Sequence, residues 1–254
     1  VNRLEYENYI NGLLDDYARM TVIQNNAIFE AMMNDAVVNG YLDRNPILKI
    51  FIGDSPVKPK DKRLSLEEFQ SWDACAKKIL RKYDYAMVRI SYFGVRRSEI
   101  MGIKFSSLKL VNGRFRIHLD ESRTYRRPNG SGMKTKQSER YVVVDEETTE
   151  LLKYAIKKSK KIAKEAGRIL NKDDFLFLDS GSNIRKNIGK PIAYVRIANL
   201  FRNVSAVNGK HVTPHMMRHF FATQGQIAGV PVEHMAAALG HSTSYMTQKY
   251  THIK

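Results

Sequence analysis

At 254 residues with 43% hydrophobic side chains, the chain has enough apolar material to pack one large domain or two modest ones, which excludes a disordered tail. Lys and Arg number 42 against 26 Asp and Glu, a formal charge of +16 that points to a polyanionic partner, nucleic acid first and an anionic membrane surface second. No apolar run approaches the roughly 18 residues of a spanning helix, no secretory leader pattern opens the chain, and a single cysteine, Cys75, excludes an intrachain disulfide, so a reducing, cytoplasmic setting is expected.

The chain opens directly into helical periodicity, with Leu4, Tyr6, Tyr9, Ile10, Leu13, Leu14 and Tyr17 at helix-like intervals, so the natural protein is expected to begin earlier. A second helix follows, its predicted stripe formed by Val22, Ile23, Ala27, Ile28, Ala31, Met32, Ala36 and Val37, with Gly40 as the stop. From Pro46 to Arg63 the pattern fails. Three prolines block regular structure and positive charge gathers at Lys58, Lys60, Lys62 and Arg63, which reads as an interdomain linker, 47–63, lying near phosphate. Ser65 and Glu68 form a capping-box signature for a helix running to about Leu80. A helix around Tyr85 to Phe93 comes next, then a strand in which Phe115, Ile117 and Leu119 alternate with Arg116 and His118. A second strand is expected from Arg140 to Val144 after a Gly-containing loop. From Asp145 a helix carries Lys153, Lys157, Lys160, Lys161 and Lys164 on one side, which as a bland alternative is a solvated face. Phe175 to Leu178 reads as a short strand, and three or four short helices complete the chain.

Four segments carry candidate chemistry, and each alone has an ordinary explanation. In Gly94-Val95-Arg96-Arg97-Ser98-Glu99 a helix begins with an arginine and an acid three residues on, which elsewhere is a surface ion pair. Lys134-Thr135-Lys136-Gln137-Ser138-Glu139-Arg140 is a polar loop entering a strand, as many hairpins are. In Thr213-Pro214-His215-Met216-Met217-Arg218-His219, Thr213 is a good N-cap and Pro214 suits the first helical position. His215 and Arg218 then share a face at a helix N-terminus, the end that favours an anion. A metal reading of His211, His215 and His219 fails, because His211 precedes the cap and Arg218 would place a fixed positive charge beside a cation. The fourth segment is Leu239-Gly240-His241-Ser242 followed by Thr247-Gln248-Lys249-Tyr250, where a lone late tyrosine is normally a packing residue.

Taken together and in this order, the segments resemble the tyrosine recombinases, most closely the integrases of phages and conjugative transposons. That family surrounds one phosphate with an arginine from a Gly-x-Arg-x-[Ser/Gly]-Glu turn, a hairpin lysine, a His-x-x-Arg pair, a later His or Trp and a tyrosine. The resemblance implies Arg96, supported structurally by Glu99, then Lys134, His215, Arg218, His241 and the nucleophile Tyr250, with Tyr245 the competing tyrosine. It also implies a mainly α fold with a small antiparallel sheet (α+β). A catalytic domain over 64–254 would follow part of a helical core-binding domain over 1–46. The chain departs from the pattern at Phe105-Ser106-Ser107, where integrases often carry an acid, and only Thr251 to Lys254 follow the tyrosine, whereas relatives commonly continue and dock that tail on a neighbouring subunit.

The chemistry expected of such a set is strand transfer. Arg96 and Arg218 would grip non-bridging oxygens with planar forks, and His215 and His241 would add donors at the same centre. Tyr250 would attack to form a 3′-phosphotyrosyl link, with His215 as its base and Lys134 protonating the departing 5′-oxygen. No metal, nucleotide or other cofactor is expected, since the chain has no phosphate-cradling Gly-rich Lys-[Ser/Thr] loop and no acidic cluster suited to two Mg²⁺ ions. The expected partner is double-stranded DNA. The resemblance adds a homotetramer on DNA and accessory DNA-bending or directionality proteins, and no membrane partner is expected. Rival readings are a type IB topoisomerase-like strand transferase, a catalytically silent DNA-binding protein of the same fold and, more remotely, a metal-dependent nuclease.

Overall fold

The structure is a computed structural model and describes residues 2–58, 63–130, 132–133, 138–181 and 185–240. They fall into two compact units, 1–61 and 62–254. Among the described residues no helix is long and apolar enough to cross a membrane.

In the first unit, α1 (Arg3–Gly12) passes through a 3-10 turn, Leu13–Asp15, into α2 (Arg19–Val38). Asn2 caps α1 by accepting from the Leu4 amide, and Gly40 at φ 75° ends α2 as its position predicts. The buried stripe of α2 differs from the expected one. Val22, Asn26 and Met33 are buried, while Ile28 and Met32 are exposed. The apolar residues of α2 are spread widely enough to offer two stripes, and the one that packs is the one facing α1. There the Tyr6 hydroxyl donates to Asn26 Oδ1 at 3.1 Å and the Tyr6 and Phe29 rings lie 4.9 Å apart.

Residues 47–55, expected as linker, instead complete this unit. Ile47 and Ile52 are buried in its core. The chain there has no regular structure, so its backbone groups are met by side chains. Arg3 donates to the Leu48 and Lys49 carbonyls, Asn11 bonds the Phe51 carbonyl and the Gly53 amide, and Arg19 donates to the Gly53 carbonyl at 2.8 Å. Lys58 is exposed on this unit and Arg63 is exposed at the start of the next, while Lys60 and Lys62 lie outside the described residues.

The second unit begins with α3 (Leu66–Ile79), opened by the expected capping box: Glu68 N donates to Ser65 Oγ at 3.1 Å and Ser65 N to Glu68 Oε2 at 2.9 Å. Then α4 (Lys82–Ser91), buried from Tyr83 through Ser91, forms the centre of the core. A short α5 (Arg97–Gly102) leads into a three-stranded antiparallel sheet, β1 (Leu108–Val111), β2 (Arg114–Leu119) and β3 (Arg140–Val143), in that order. β1 was not foreseen, although the Asn112-Gly113 pair, both at positive φ, is the chemistry of a two-residue hairpin turn.

The helix expected from Asp145 is α6 (Glu146–Glu165), with Asp145 as its cap. Phe175 to Leu178 is not a strand. It makes only isolated bridges, Lys104 to Phe175 and Leu178 to Pro191, because Leu176, Phe177 and Leu178 are held by burial rather than by a ladder. Among the described residues, a 3-10 turn at Arg185–Asn187 and the helices α7 (Arg196–Asn208), α8 (Pro214–Ile227) and α9 (Val232–Leu239) follow. Trp72 of α3 stacks on Phe201 of α7 at 4.9 Å and donates to Ser205 Oγ, which couples the first and later helices through one core.

Candidate active site

The site is assembled at the ends of α5, α8 and α9. The turn before α5 is possible because Gly94 takes φ +72°, and it must be glycine for a second reason: a Cβ there would come within 2.7 Å of Phe221 Cδ1 and 2.9 Å of Leu239 Cδ2. Arg96 caps α5. Its backbone N–H donates to Glu99 Oε2 at 2.8 Å, and its Nη1 donates to Glu99 Oε1 at 2.7 Å. Arg97 lies against Tyr194, its guanidinium 4.0 Å above the ring and bonded to the hydroxyl.

α8 starts as predicted, with Thr213 accepting from the Met216 amide and Pro214 at the first position. This places His215 at the exposed end of the helix and Arg218 one turn inside, 2% exposed. His215 Nε2 lies 2.9 Å from His219 Nε2, so one ring donates and the other accepts. Arg218 Nη1 donates to the Gly94 carbonyl and Nη2 to the Leu239 carbonyl, each at 2.5 Å.

Three arginines from three different elements converge on the end of α9. Arg140 at the start of β3 donates to the Ala238 carbonyl at 2.7 Å, Arg218 to Leu239 and Arg96 to Gly240 at 3.2 Å. The last carbonyls of a helix have no partner within it, so each arginine satisfies an acceptor that would otherwise be orphaned. Gly240 is confined to glycine here, with φ +63° and a Cβ position only 3.0 Å from Arg140 Nη1.

Behind the cleft, Glu99 sits between two guanidiniums. Arg140 Nη1 and Nη2 reach its two oxygens at 3.1 and 2.8 Å. Burial alone would raise the Glu99 carboxyl, but the bonds and charges of Arg140 and Arg96 outweigh it and hold Glu99 below the ordinary range, so it is an anion at neutral pH.

Arg96, His215 and Arg218 therefore line one open cavity of about 360 Å³, together with Arg97, Ser98, Tyr194, Thr213 and Pro214. No carboxylate is among these lining residues. The other expected site residues, Lys134, His241 and Tyr250, lie outside the described residues, as does Tyr245. Of these, only Lys134 is flanked on both sides by described residues. On the approach to Lys134, Glu121 accepts from the Gly132 amide at 2.6 Å and Ser122 Oγ donates to the Gly132 carbonyl. On the far side, Ser138 gives its carbonyl to Arg140. Sequence reasoning singled out neither Arg97 with Tyr194 nor Arg140. Only Arg140 had a signal, as the last residue of the polar segment that begins at Lys134.

The second unit is thus mainly helical with a small antiparallel sheet, and among the described residues its cleft is lined by three arginines and a histidine at the N-terminus of α8. The chain belongs to the phage integrase family, which it matches over residues 62–254. It is 30% identical over 173 residues to tyrosine recombinase XerD of Chlorobaculum tepidum, covering 67% of this chain and 48% of that protein. With a tyrosine recombinase of Agathobacter rectalis it shares 28% identity over 176 residues, 67% of this chain and 47% of the other. The match thus spans about half the length of these relatives. Among solved structures, the Tn1549 transposon integrase in complex with transposon right end DNA superposes with a TM-score of 0.73 at 21% identity, covering 100% of this chain and 82% of that one. XerH site-specific recombinase bound to palindromic difH substrate gives 0.72 at 16% identity, with 100% and 67% covered. At these identities the likeness establishes the fold.

Proposed function

We propose that the chain carries the catalytic part of a site-specific DNA recombinase, which cleaves a strand with Tyr250 to form a 3′-phosphotyrosyl link and rejoins it to another 5′-hydroxyl, integrating or excising a mobile element. The observation that carries this reading is the cleft in which Arg96, Arg97, His215 and Arg218 meet with no acid among them. A diester transition state gathers negative charge on the non-bridging oxygens, and fixed guanidiniums relieve it without reorganising. The fork geometry suits Arg96 and Arg218 to those oxygens better than an ammonium would.

In this scheme His215 takes the Tyr250 proton, His241 adds a donor and Lys134 protonates the leaving oxygen. The covalent link keeps the diester's energy, so the scheme requires neither metal nor ATP. Lys58, Lys60, Lys62 and Arg63 meet the DNA backbone and add affinity rather than sequence preference. Double-stranded DNA is the partner, in keeping with the DNA complexes among the structural relatives. A homotetramer on DNA and accessory bending or directionality proteins complete the assembly.

The test uses a pool of nicked duplexes with randomised sequence, in which cleavage releases a short strand and traps the adduct. The parent chain should yield a denaturation-resistant protein–DNA adduct whose peptide maps to Tyr250, and sequencing the captured duplexes gives the site. Tyr250→Phe should bind that duplex and yield no adduct. An adduct at Tyr245 would overturn the assignment of the nucleophile, and relaxation of supercoiled DNA by a monomer without partner exchange would favour a topoisomerase.

A further inference from the structure

Arg140 lies behind the cleft: it is not among the residues that line it, and its guanidinium is engaged by Glu99, Ser138 and Ala238, so it is not placed to meet a DNA phosphate. It nevertheless bonds to three stretches that carry or adjoin site residues. Through Glu99 it reaches the turn of Arg96, through the Ser138 carbonyl it braces the far end of the loop that holds Lys134, and through the Ala238 carbonyl it holds the end of α9, three residues before His241.

The charge balance gives this a sharper meaning. Among the described residues, the charged groups facing Glu99 are Arg96 from the α5 turn and Arg140 from β3, while α9 presents only carbonyls to these arginines. One carboxylate neutralises one guanidinium. Arg140 takes both Glu99 oxygens, and Arg96 takes one of them with its side chain. If Arg140 were absent, the buried anion would be balanced by Arg96 alone, and the charge that Arg96 could offer a phosphate would be spent on it.

We propose that Arg140 is a positioning residue for strand cleavage, which compensates Glu99 so that Arg96 keeps its positive charge for the scissile phosphate while the hairpin and the end of α9 are held in register with it. The inference rests on the recombinase reading above, because it assigns Arg96 a phosphate to hold.

The experiment measures single-turnover adduct formation and DNA affinity on a duplex recovered from the randomised pool, for the parent, Arg140→Lys, Arg140→Met and Arg140→Met/Glu99→Gln. Arg140→Met should cleave on the order of 10-fold or more slowly, short of the 10² to 10³ expected for removing a phosphate donor itself, with affinity unchanged. Arg140→Lys should fall between. Adding Glu99→Gln to Arg140→Met should recover much of the lost rate, since it removes the anion that captures Arg96. A purely structural role predicts instead that rate and affinity fall together as folded chain is lost, because removing one partner of a buried pair destabilises the whole unit.

Unchanged cleavage in Arg140→Met overturns the proposal, and so does a parallel fall of rate and affinity or a double variant slower than the single one. Should Arg140→Met fail to fold, the comparison of Arg140→Lys with the double variant decides, since neither leaves an uncompensated buried carboxylate. A parent chain that yields no adduct on any duplex overturns the recombinase reading itself, visible before any variant is made.

Discussion

Replacing Glu99 by glutamine changes one atom, yet it should destabilise the second unit severely. The carboxylate accepts four hydrogen bonds, from the Arg96 backbone N–H at 2.8 Å, Arg96 Nη1 at 2.7 Å, and Arg140 Nη1 and Nη2 at 3.1 and 2.8 Å. Glutamine offers one acceptor oxygen and turns an NH₂ group toward donors. With side-chain exposures of 2% for Glu99 and 7% for Arg140, this pair is buried, and losing one partner of a buried pair costs about 3–5 kcal/mol. The Arg96 pair adds little, since that guanidinium is one-third exposed and screened.

The assay is urea unfolding followed by fluorescence. Trp72 is the only tryptophan and is fully buried against Phe201, so its signal reads the second unit alone. The pH dependence supplies a second measure. Glu99 titrates lower in the folded chain than the ordinary 4.5, so its contribution is complete above that pH and is lost as pH falls through the lower folded value. This component of acid destabilisation should be missing from Glu99→Gln. A variant within about 1 kcal/mol of the parent, or one with the same acid limb, would refute the buried-network argument, since even an ordinary neutral hydrogen bond is worth about that much.

Arg96→Ala and Arg218→Ala should each slow adduct formation by about 10² to 10³, and a near-normal rate in either removes that arginine from the phosphate clamp. Lys134→Ala should cleave ordinary DNA slowly but a duplex with sulfur at the bridging 5′ position almost as fast as the parent, because a thiolate leaves without a proton. Arg218→Ala should gain no such rescue, and equal rescue of both variants would transfer attention to Lys136. Affinity for duplex DNA should fall with salt by about 0.9 log units per neutralised phosphate for each log unit of salt. Replacing Lys58, Lys60, Lys62 and Arg63 together should flatten that slope without changing the preferred site, and an unchanged slope would remove them from the DNA interface.

The cleft arginines were readable because their chemistry is local. Arg96 is marked by Gly94 and Glu99 within one turn, and Arg218 by His215 three residues before it, directly after a Thr-Pro helix start. Their partners were not readable. Glu99 and Arg140 are 41 residues apart, and Arg218 meets the Gly94 carbonyl across 124, separations at which no periodicity or spacing carries information. The same limit applies to 47–55, where prolines mark irregular backbone correctly but cannot reveal that Arg3, Asn11 and Arg19 satisfy it. In α2 the pattern offered two apolar faces, and only the position of Tyr6 decides between them. β1 was missed for a different reason. Its own residues are largely exposed, so they lack the alternation that marks a half-buried strand, and the Asn112-Gly113 turn was the usable signal.

The burial of α4 bears on how the cleft meets its ligand. Arg96 stands five residues beyond the end of a helix whose residues from Tyr83 to Ser91 are all buried, joined to it by a tight turn in which the Gly94 amide bonds the Ser91 carbonyl. The helix is further fixed by the Tyr83 hydroxyl in the core, by Arg89 on Asp145 and by Asp84 on Arg196. Amides in such a helix exchange with solvent only when the whole unit opens. The turn that carries Arg96 is therefore anchored to a buried helix, and much of its conformational entropy has already been lost in folding. An incoming phosphate orders little on that side of the cleft, so the entropic cost of association falls on the DNA and on the remaining segments of the site.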